Sequence, residues 1–221
     1  MKNQNTLVAV EGLPFIIAAI VLTLVVALLL FFYAPKAMIY VTIPLIILTI
    51  FVTAFFRNPT RTIPEDPRAV VSPADGTVLF VKKVQEKDFL NTEVMMVSVF
   101  MSVFNVHINR IPMTGTVVKA KYFPGKFFVA SLDKASSENE RNALVIKNKK
   151  GQTILVVQIA GLVARRIVCY AKEGDTLDKG VRFGLIRFGS RLDLYLPVDS
   201  DIKVSPGDKV KGGETIMGVL P

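Results

Sequence analysis

Few side chains in this 221-residue chain can do chemistry on their own, because it has one histidine and one cysteine. His107 is the sole imidazole, which excludes every motif that needs two histidines, including the H-E-x-x-H zinc helix. Cys169 by itself forms neither an intrachain disulfide nor a multi-cysteine zinc site. We therefore expect no metal centre, and any imidazole base catalysis must use His107.

Three short segments combine residue types that chemistry needs. They are Ser72–Gly76 (SPADG), Phe104–Pro112 (FNVHINRIP) and Arg187–Ser190 (RFGS). Each alone has an ordinary explanation: a turn in which Asp tolerates unusual backbone angles and Gly supplies a positive φ, a buried histidine, and a bulge before a strand. Together they hold a carboxylate (Asp75), an imidazole (His107) and a hydroxyl (Ser190). A carboxylate that orients a histidine, which then deprotonates a serine, is a well-known arrangement for activating a nucleophile.

The N-terminal quarter is apolar enough to position the rest against a membrane. Residues 12–32 and 37–56 carry no charge. Each run has about 20 residues, enough for a helix to cross a hydrocarbon core of about 30 Å. We predict a membrane-associated helical hairpin over residues 1–56, spanning or re-entrant. Buried core helices of a soluble domain are disfavoured because no polar stripe is present, and a signal peptide because no small-residue cleavage site precedes the second run.

Charge suggests how such a hairpin is oriented. Lys2 precedes it and Arg57, Arg61 and Arg68 follow it, so the positive-inside rule places both chain ends and the C-terminal part, residues 57–221, in the cytoplasm, at the inner membrane. The net charge of +9 favours an anionic membrane surface as partner. No nucleic-acid-binding signature accompanies it, so we expect no nucleic acid partner.

Residues 57–221 show strand-like runs separated by turn signals, with weak helical periodicity. The predicted fold class is mainly β (α+β), a barrel-sandwich-like β domain preceded by the helical hairpin. Strands are predicted at 77–82, 94–105, 115–122, 143–147 and 153–159. Residues 131–142 read as a polar loop, and residues 162–170 as a strand or short helix.

A weak repeat near the C-terminus leaves two other function classes open. Residues 173–184 and 206–218 share the form G-D-x-hydrophobic-x-x-G. Such turns are typical of hairpins in lipoyl and biotinyl carrier domains, so a membrane-anchored carrier module modified at Lys179 or Lys211 is one alternative, although no Met-Lys-Met is present. A membrane-fusion-type adaptor with an inert Ser190 is another.

The order and spacing of the motifs resemble the phosphatidylserine decarboxylase family, in its short membrane-hairpin (type A), pyruvoyl-dependent form. The resemblance is carried by the apolar N-terminus, R-N-P-x-R at 57–61, the SPADG and VHINRIP segments, N-E-R-N at 139–142, and F-G-S at 188–190. It implies that Ser190 attacks the Gly189 carbonyl and that the resulting ester breaks by β-elimination between 189 and 190. Ser190 then becomes a covalent pyruvoyl group that forms a Schiff base with the substrate amine. No PLP is implied.

The same resemblance implies the substrate. The enzyme would be a carboxy-lyase that converts phosphatidylserine in the bilayer to phosphatidylethanolamine, in phospholipid biosynthesis. An archaetidylserine-type serine lipid is an alternative substrate. The chains 1–189 and 190–221 are expected to stay associated through β pairing. Phe127, Phe128 and Arg141 lie in segments that could border the headgroup pocket.

The chain departs from the longer family members at one position. Those members carry two histidines three residues apart, whereas this sequence has His107 at the first position and Arg110 at the second. Either His107 serves both self-cleavage and decarboxylation, or Asp75 acts more directly in self-cleavage while His107 serves decarboxylation. We favour His107 as the acid that protonates the substrate carbanion. Arg110 is expected to pair with a phosphate or with Asp75, or to be a solvated strand end.

Overall fold

The computed structural model describes Gln4 and residues 6–128, 138–161, 166–187 and 189–221. The chain divides into two compact units. One is Asn5–Pro59, and the other contains Gln4 and Thr60–Pro221.

The first unit is a pair of long apolar helices. A single 3-10 turn, Val10–Gly12, leads into α1 (Leu13–Tyr33), and only Ala34 separates α1 from α2 (Pro35–Phe55). A proline at the first position of α2 suits a helix start, where no N–H is needed. Both helices are long and apolar enough, by length and composition, to cross a membrane. The predicted apolar helical hairpin is confirmed.

Two threonine hydroxyls of the hairpin are hydrogen-bonded within it, and the apolar surface of the hairpin is exposed. The hydroxyls of Thr23 and Thr49 lie 3.1 Å apart between the helices. Each also donates to the carbonyl four residues earlier, so neither hydroxyl is left without a partner in apolar surroundings. Phe32 is 69% exposed and Ile50 is 63% exposed. Such an exposed apolar surface is compatible with association with a membrane.

The described residues of the second unit form fourteen strands. They are β1 (Ala69–Val71), β2 (Gly76–Glu86), β3 (Thr92–Met101), β4 (Ile108–Arg110), β5 (Gly115–Phe123), β6 (Arg141–Lys147), β7 (Thr153–Ala160), β8 (Ile167–Cys169), β9 (Thr176–Leu177), β10 (Arg182–Ile186), β11 (Ser190–Pro197), β12 (Asp201–Ile202), β13 (Lys209–Val210) and β14 (Ile216–Val219).

These strands make one large sheet and two small ones. The eight-stranded sheet runs β13-β2-β3-β11-β7-β6-β5-β9 and curls into a half-barrel. The small sheets are β4-β10-β8 and β1-β14-β12. Every strand pair among the described residues is antiparallel. The predicted mainly β class is confirmed.

The large sheet has two buried faces, because successive side chains of a strand point to opposite sides. One face contributes Val99, Leu192 and Leu194 to the main core, which also takes residues from both small sheets. The other face carries a smaller cluster that includes Leu155 and Ile159. A strand buried on both faces needs few exposed side chains, which explains the long apolar runs in the sequence.

The sequence repeat forms two equivalent turns. Gly174 and Gly207 both have positive φ, +92° and +97°. Their N–H groups donate to the carbonyls of Val117 and Val78, each at 2.8 Å. The short strands that follow, β9 and β13, pair with the first residues of β5 and β2 respectively. The repeat is therefore a structural device used twice.

The turns that precede β2 and β5 are equivalent as well. In Ser72–Gly76, Asp75 Oδ1 accepts the N–H of Gly212 at 2.8 Å. In the corresponding turn, Thr114 Oγ1 accepts the N–H of Lys179 at 2.9 Å. Asp75 and Thr114 thus make the same bond to the same point of the repeated turn.

Three local predictions need correction. Gly76 is not among the glycines with positive φ; a Cβ there would lie 2.2 Å from the Phe100 carbonyl oxygen, so close backbone approach requires the glycine. Strand β3 ends at Met101 because Ser102–Asn105 closes a turn. Residues 141 and 142 belong to β6 and not to a loop. Residues 131–137 of that predicted loop lie outside the described residues, as do residues 162–165 of the segment that contains β8.

Candidate active site

Ser190 begins β11 in the middle of the large sheet. It lies opposite Met101 of β3 and opposite Ala160 of β7, and its exposed fraction is 0%. Its Oγ has no hydrogen-bond partner in the part of the chain that the structure describes. A buried hydroxyl without a partner is costly, and such groups occur at sites kept for chemistry.

Gly189 has the backbone conformation that a side chain would resist. Its φ is +68°, in the left-handed region that favours glycine. Among the described residues other than its chain neighbours, no atom lies within 4 Å of the place where a Cβ would be. Glycine is therefore favoured here by the backbone conformation and not by a lack of space.

His107 turns one nitrogen toward the backbone N–H of Gly189, the residue before Ser190. Its side chain is nearly buried, with an exposed fraction of 2%. The Gly189 N–H donates to Nε2 at 3.4 Å, so Nε2 is the unprotonated nitrogen. Nδ1 then carries the proton and donates to the Asn105 carbonyl at 3.0 Å. The imidazole thus turns its unprotonated nitrogen to the residue that precedes Ser190.

Asp75 is bound by an arginine. Both its carboxylate oxygens accept from Arg61 Nη2, at 2.9 and 2.7 Å, in addition to the Gly212 N–H. Glu214 lies 3.6 Å from Arg61 on the other side. The structure therefore brings His107 to the Gly189 N–H, and gives Asp75 an ion pair whose side chains are mostly buried. The orientation of His107 comes from Asn105.

Arg110 is not a solvated strand end, and that alternative is wrong. Its exposed fraction is 8%, and its Nη1 donates to the Gly180 carbonyl at 3.0 Å. Burial lowers the pKa of Arg110, and the neighbouring Arg61 lowers it further, whereas Asp75 raises it. Arg110 thus belongs to the charge cluster around Asp75.

The segments predicted to border a headgroup pocket are hydrogen-bonded to β7, the strand beside β11. Asn139, of the N-E-R-N motif, donates from Nδ2 to the carbonyls of Phe128 and Ala160, at 2.8 and 2.7 Å. Ala160 is the residue opposite Ser190. Arg141 lies over the Phe123 ring, 4.4 Å from its centroid. A role for these residues in headgroup binding stays a prediction.

The sequence motifs do not identify two sets of residues that lie near the candidate site. Arg61 was read as a flanking charge of the hairpin, although it is the partner of Asp75. The buried amides of Asn109, Asn142 and Gln158 were not singled out, although they bond to one another. A polar residue inside an apolar strand was the available signal, because buried amides need partners.

Two other chemistries find little support in the described part of the chain. Burial raises the pKa of the Cys169 thiol to about 11, so it is protonated at neutral pH and a poor nucleophile. Groups of three or more His, Cys, Asp or Glu side chains that could hold a metal ion do not occur among the described residues.

The fold and the site define a class of protein: a β-rich chain in which a buried serine, a left-handed glycine and an imidazole lie together at the start of an internal strand. The family model for phosphatidylserine decarboxylase matches residues 48–218. The phosphatidylserine decarboxylase proenzyme of Geotalea uraniireducens (strain Rf4) is 52% identical over 221 residues, covering all of both chains. That of Cupriavidus taiwanensis is 50% identical over 221 residues, covering all of this chain and 99% of the relative. This chain belongs to the phosphatidylserine decarboxylase family.

Proposed function

We propose that this chain is a proenzyme that cuts itself between Gly189 and Ser190 and then decarboxylates phosphatidylserine to phosphatidylethanolamine in phospholipid biosynthesis. The observation that carries the proposal is the buried Ser190 hydroxyl, which directly follows a glycine whose N–H donates to His107 Nε2. Family membership over the full chain supplies the reaction class.

Self-cleavage follows from groups that the chain itself provides. Ser190 Oγ attacks the Gly189 carbonyl carbon and gives its proton to His107 Nε2. The peptide C–N bond breaks, which leaves an ester on Oγ and a free amine on residue 190. Loss of the Cα proton of residue 190 and rupture of its Cβ–Oγ bond then release the Gly189 carboxylate. Water replaces the nitrogen of the dehydrated residue, and ammonia leaves.

The product at position 190 is a pyruvoyl group, and the site suits its formation. The left-handed Gly189 exposes its carbonyl without a side chain, and the Ser190 hydroxyl is committed to no other bond within the described residues. Once formed, the group supplies a carbonyl that withdraws electrons from the substrate amine carbon as carbon dioxide leaves. His107, which takes up a proton in self-cleavage, is placed to give one back to the substrate carbon.

The hairpin and the surface charge fit a substrate that stays in a bilayer. We propose that α1 and α2 anchor the enzyme in the inner membrane with the catalytic unit in the cytoplasm. The positive net charge holds anionic headgroups nearby, at about 1 kcal/mol for each Lys or Arg near the surface. Reporter fusions at residue 34 and at the C-terminus test the orientation, and a periplasmic C-terminus would contradict it.

The decisive experiment compares two buried serines by intact mass and denaturing gel. The unmodified chain should yield the fragments 1–189 and 190–221 and decarboxylate phosphatidylserine in vesicles. Ser190→Ala should stay whole and inactive, whereas Ser200→Ala, another buried serine, should be cut normally. Cleavage at 189/190 in Ser190→Ala would overturn the proposal. Archaetidylserine, with the same serine headgroup, is compared in the same assay.

The carrier alternative gains nothing from the site of its candidate lysine. The ammonium of Lys179 donates to the carbonyls of Asp66 and Ala69, at 2.6 and 3.4 Å, and does not stand free at a hairpin tip. An intact chain modified at Lys179 or Lys211 in the same mass measurement would favour it.

A further inference from the structure

Three buried side-chain amides form a continuous chain beside the cleavage strand. Asn142 Nδ2 donates to Gln158 Oε1 at 3.1 Å, and Gln158 Nε2 donates to Asn109 Oδ1 at 2.8 Å. Asn109 and Gln158 have exposed fractions of 0%, and Asn142 of 8%. The chain links the large sheet, through β6 and β7, to β4, which follows His107 directly.

The bonds fix which way each amide points. The Val168 carbonyl accepts from Gln158 at 3.4 Å, so that atom must be the nitrogen, Nε2. Because Nε2 also donates to Asn109, the Asn109 atom facing it must be Oδ1. The Asn109 nitrogen is therefore turned the other way, toward Met101 Sδ at 3.7 Å.

That nitrogen is poorly satisfied. A thioether sulfur is a weak acceptor, and the amide has two N–H groups. A fully buried donor that faces only a weak acceptor loses most of the hydrogen-bond energy it had in water. The arrangement is stable only because Gln158 holds the oxygen end of the same amide.

The Asn109 nitrogen points to the neighbourhood of Ser190. Met101 is the direct partner of Ser190 across β3 and β11, and directly opposite residues share a face with Cβ atoms about 5 Å apart. Asn109 lies two residues after His107 in the chain. Two poorly satisfied buried polar groups, Asn109 Nδ2 and Ser190 Oγ, therefore flank the same methionine.

We propose that Asn109 Nδ2 donates a hydrogen bond to the Gly189 carbonyl oxygen as that oxygen gains negative charge under attack by Ser190. Gln158, backed by Asn142, is the positioning residue that keeps the donor aimed. The proposal rests on the self-cleavage proposed above. A pre-aimed donor that meets charge as it develops lowers a barrier, because it need not reorganise. The flexible thioether of Met101 can move aside at little cost.

The test distinguishes loss of the Asn109 donor from disruption of the chain of buried amides. Asn109→Asp keeps an oxygen to accept from Gln158 but has no donor in place of Nδ2. We expect self-cleavage to slow by about 100-fold or more, the usual loss when one such donor is removed. Asn142→Asp also puts a buried carboxylate in the amide chain, but it removes only the donor that backs Gln158 and keeps Asn109 Nδ2, so it should slow cleavage clearly less than Asn109→Asp. Equal losses in the two variants would overturn the proposal.

Two further measurements keep the result interpretable. Hydroxylamine cuts an ester but not a peptide. If Asn109→Asp prevents ester formation, hydroxylamine should release no 190–221 fragment from it. Release of that fragment would show that the ester forms and that a later step is blocked, which would overturn the proposal. If Asn109→Asp does not fold, Gln158→Glu decides: it should fold and cleave about tenfold more slowly because the donor is no longer aimed, and an unchanged rate overturns the proposal. Cleavage of Asn109→Asp at the unmodified rate refutes only the donor, whereas an uncut unmodified chain refutes the proposed function.

Discussion

The two ring nitrogens of His107 have opposite tasks in the uncut chain. Nδ1 is occupied as a donor to the Asn105 carbonyl, so the ring is oriented by backbone. Nε2 accepts from the Gly189 N–H at 3.4 Å, which is a long and therefore weak hydrogen bond. A carboxylate is not needed to fix this tautomer, because a carbonyl does so equally well.

Removing the imidazole should therefore stop self-cleavage itself. We expect His107→Ala to slow the appearance of the 190–221 fragment by at least about 100-fold, the usual contribution of a positioned base. A time course on denaturing gels measures the rate, and thermal melting checks that the variant folds. Normal processing combined with lost decarboxylation would confine His107 to turnover and contradict its role as the base.

The thiol of Cys169 should react slowly with alkylating reagents in the folded chain. Burial raises its pKa to about 11, so only about one molecule in a thousand carries the thiolate at pH 8. Alkylation by iodoacetamide should be slow at pH 8 and rise with pH up to about 11. The same chain in denaturant, where the thiol pKa is about 8.5, should react several hundred-fold faster at pH 8. Equal rates in the two states would show that Cys169 is not shielded.

At the scale of elements, the turn that carries Asp75 is one of an equivalent pair. Asp75 and Thr114 both accept an N–H from the repeated turn, so this bond needs only an oxygen and not a charge. What distinguishes Asp75 is its second partner, Arg61. The carboxylate offsets the positive charge of Arg61 and of the neighbouring Arg110.

Asp75→Thr uses this equivalence, because Thr114 already accepts the corresponding N–H hydrogen bond in the other turn. We expect the variant to fold and to self-cleave about tenfold more slowly. Uncompensated arginine charge opposes the positive imidazole that forms when His107 takes the Ser190 proton. Arg61→Gln in the same chain should recover part of the rate, as measured on gels. A single variant that cleaves at the unmodified rate would show that the carboxylate is not required.

The sequence predicts individual elements better than the contacts between them. The hairpin is readable because two charge-free runs have no other stable environment. The repeated turns are readable because glycine and aspartate mark them at fixed spacing. The contact of His107 with Gly189 was not readable, because it depends on β10 pairing with β4 and β11 with β3 across long stretches of chain. The partner of Asp75 was equally hidden, since Arg61 reads as a membrane-flanking charge.

At the scale of the whole molecule, the proposed cut falls at the start of an internal strand. β11 pairs with β3 on one side and with β7 on the other. Farther along the same fragment, β13 pairs with β2 and β14 with β1. Leu192, Leu194 and Leu196 are all fully buried. The fragment 190–221 thus contributes strands to two sheets and leucine side chains to the core.

We therefore expect the two chains to remain together after cleavage. The 190–221 fragment should co-elute with 1–189 in gel filtration under non-denaturing conditions and separate only in strong denaturant. Mass spectrometry of the eluted peak identifies both chains. Loss of the short chain in mild buffer would contradict the expectation, because it would mean that the burial of β11 contributes little to stability.

Because β11 is an internal strand, the chain must fold before it is cut. A strand that lies between two neighbours cannot be added at an edge, so it must enter the sheet while the chain is continuous and folding. Once the link at 189–190 is gone, an unfolded mature molecule has lost the tether that aligned β11. Heat inactivation of the mature enzyme should then be a one-way event governed by its unfolding rate, whereas the uncut Ser190→Ala chain keeps the means to refold.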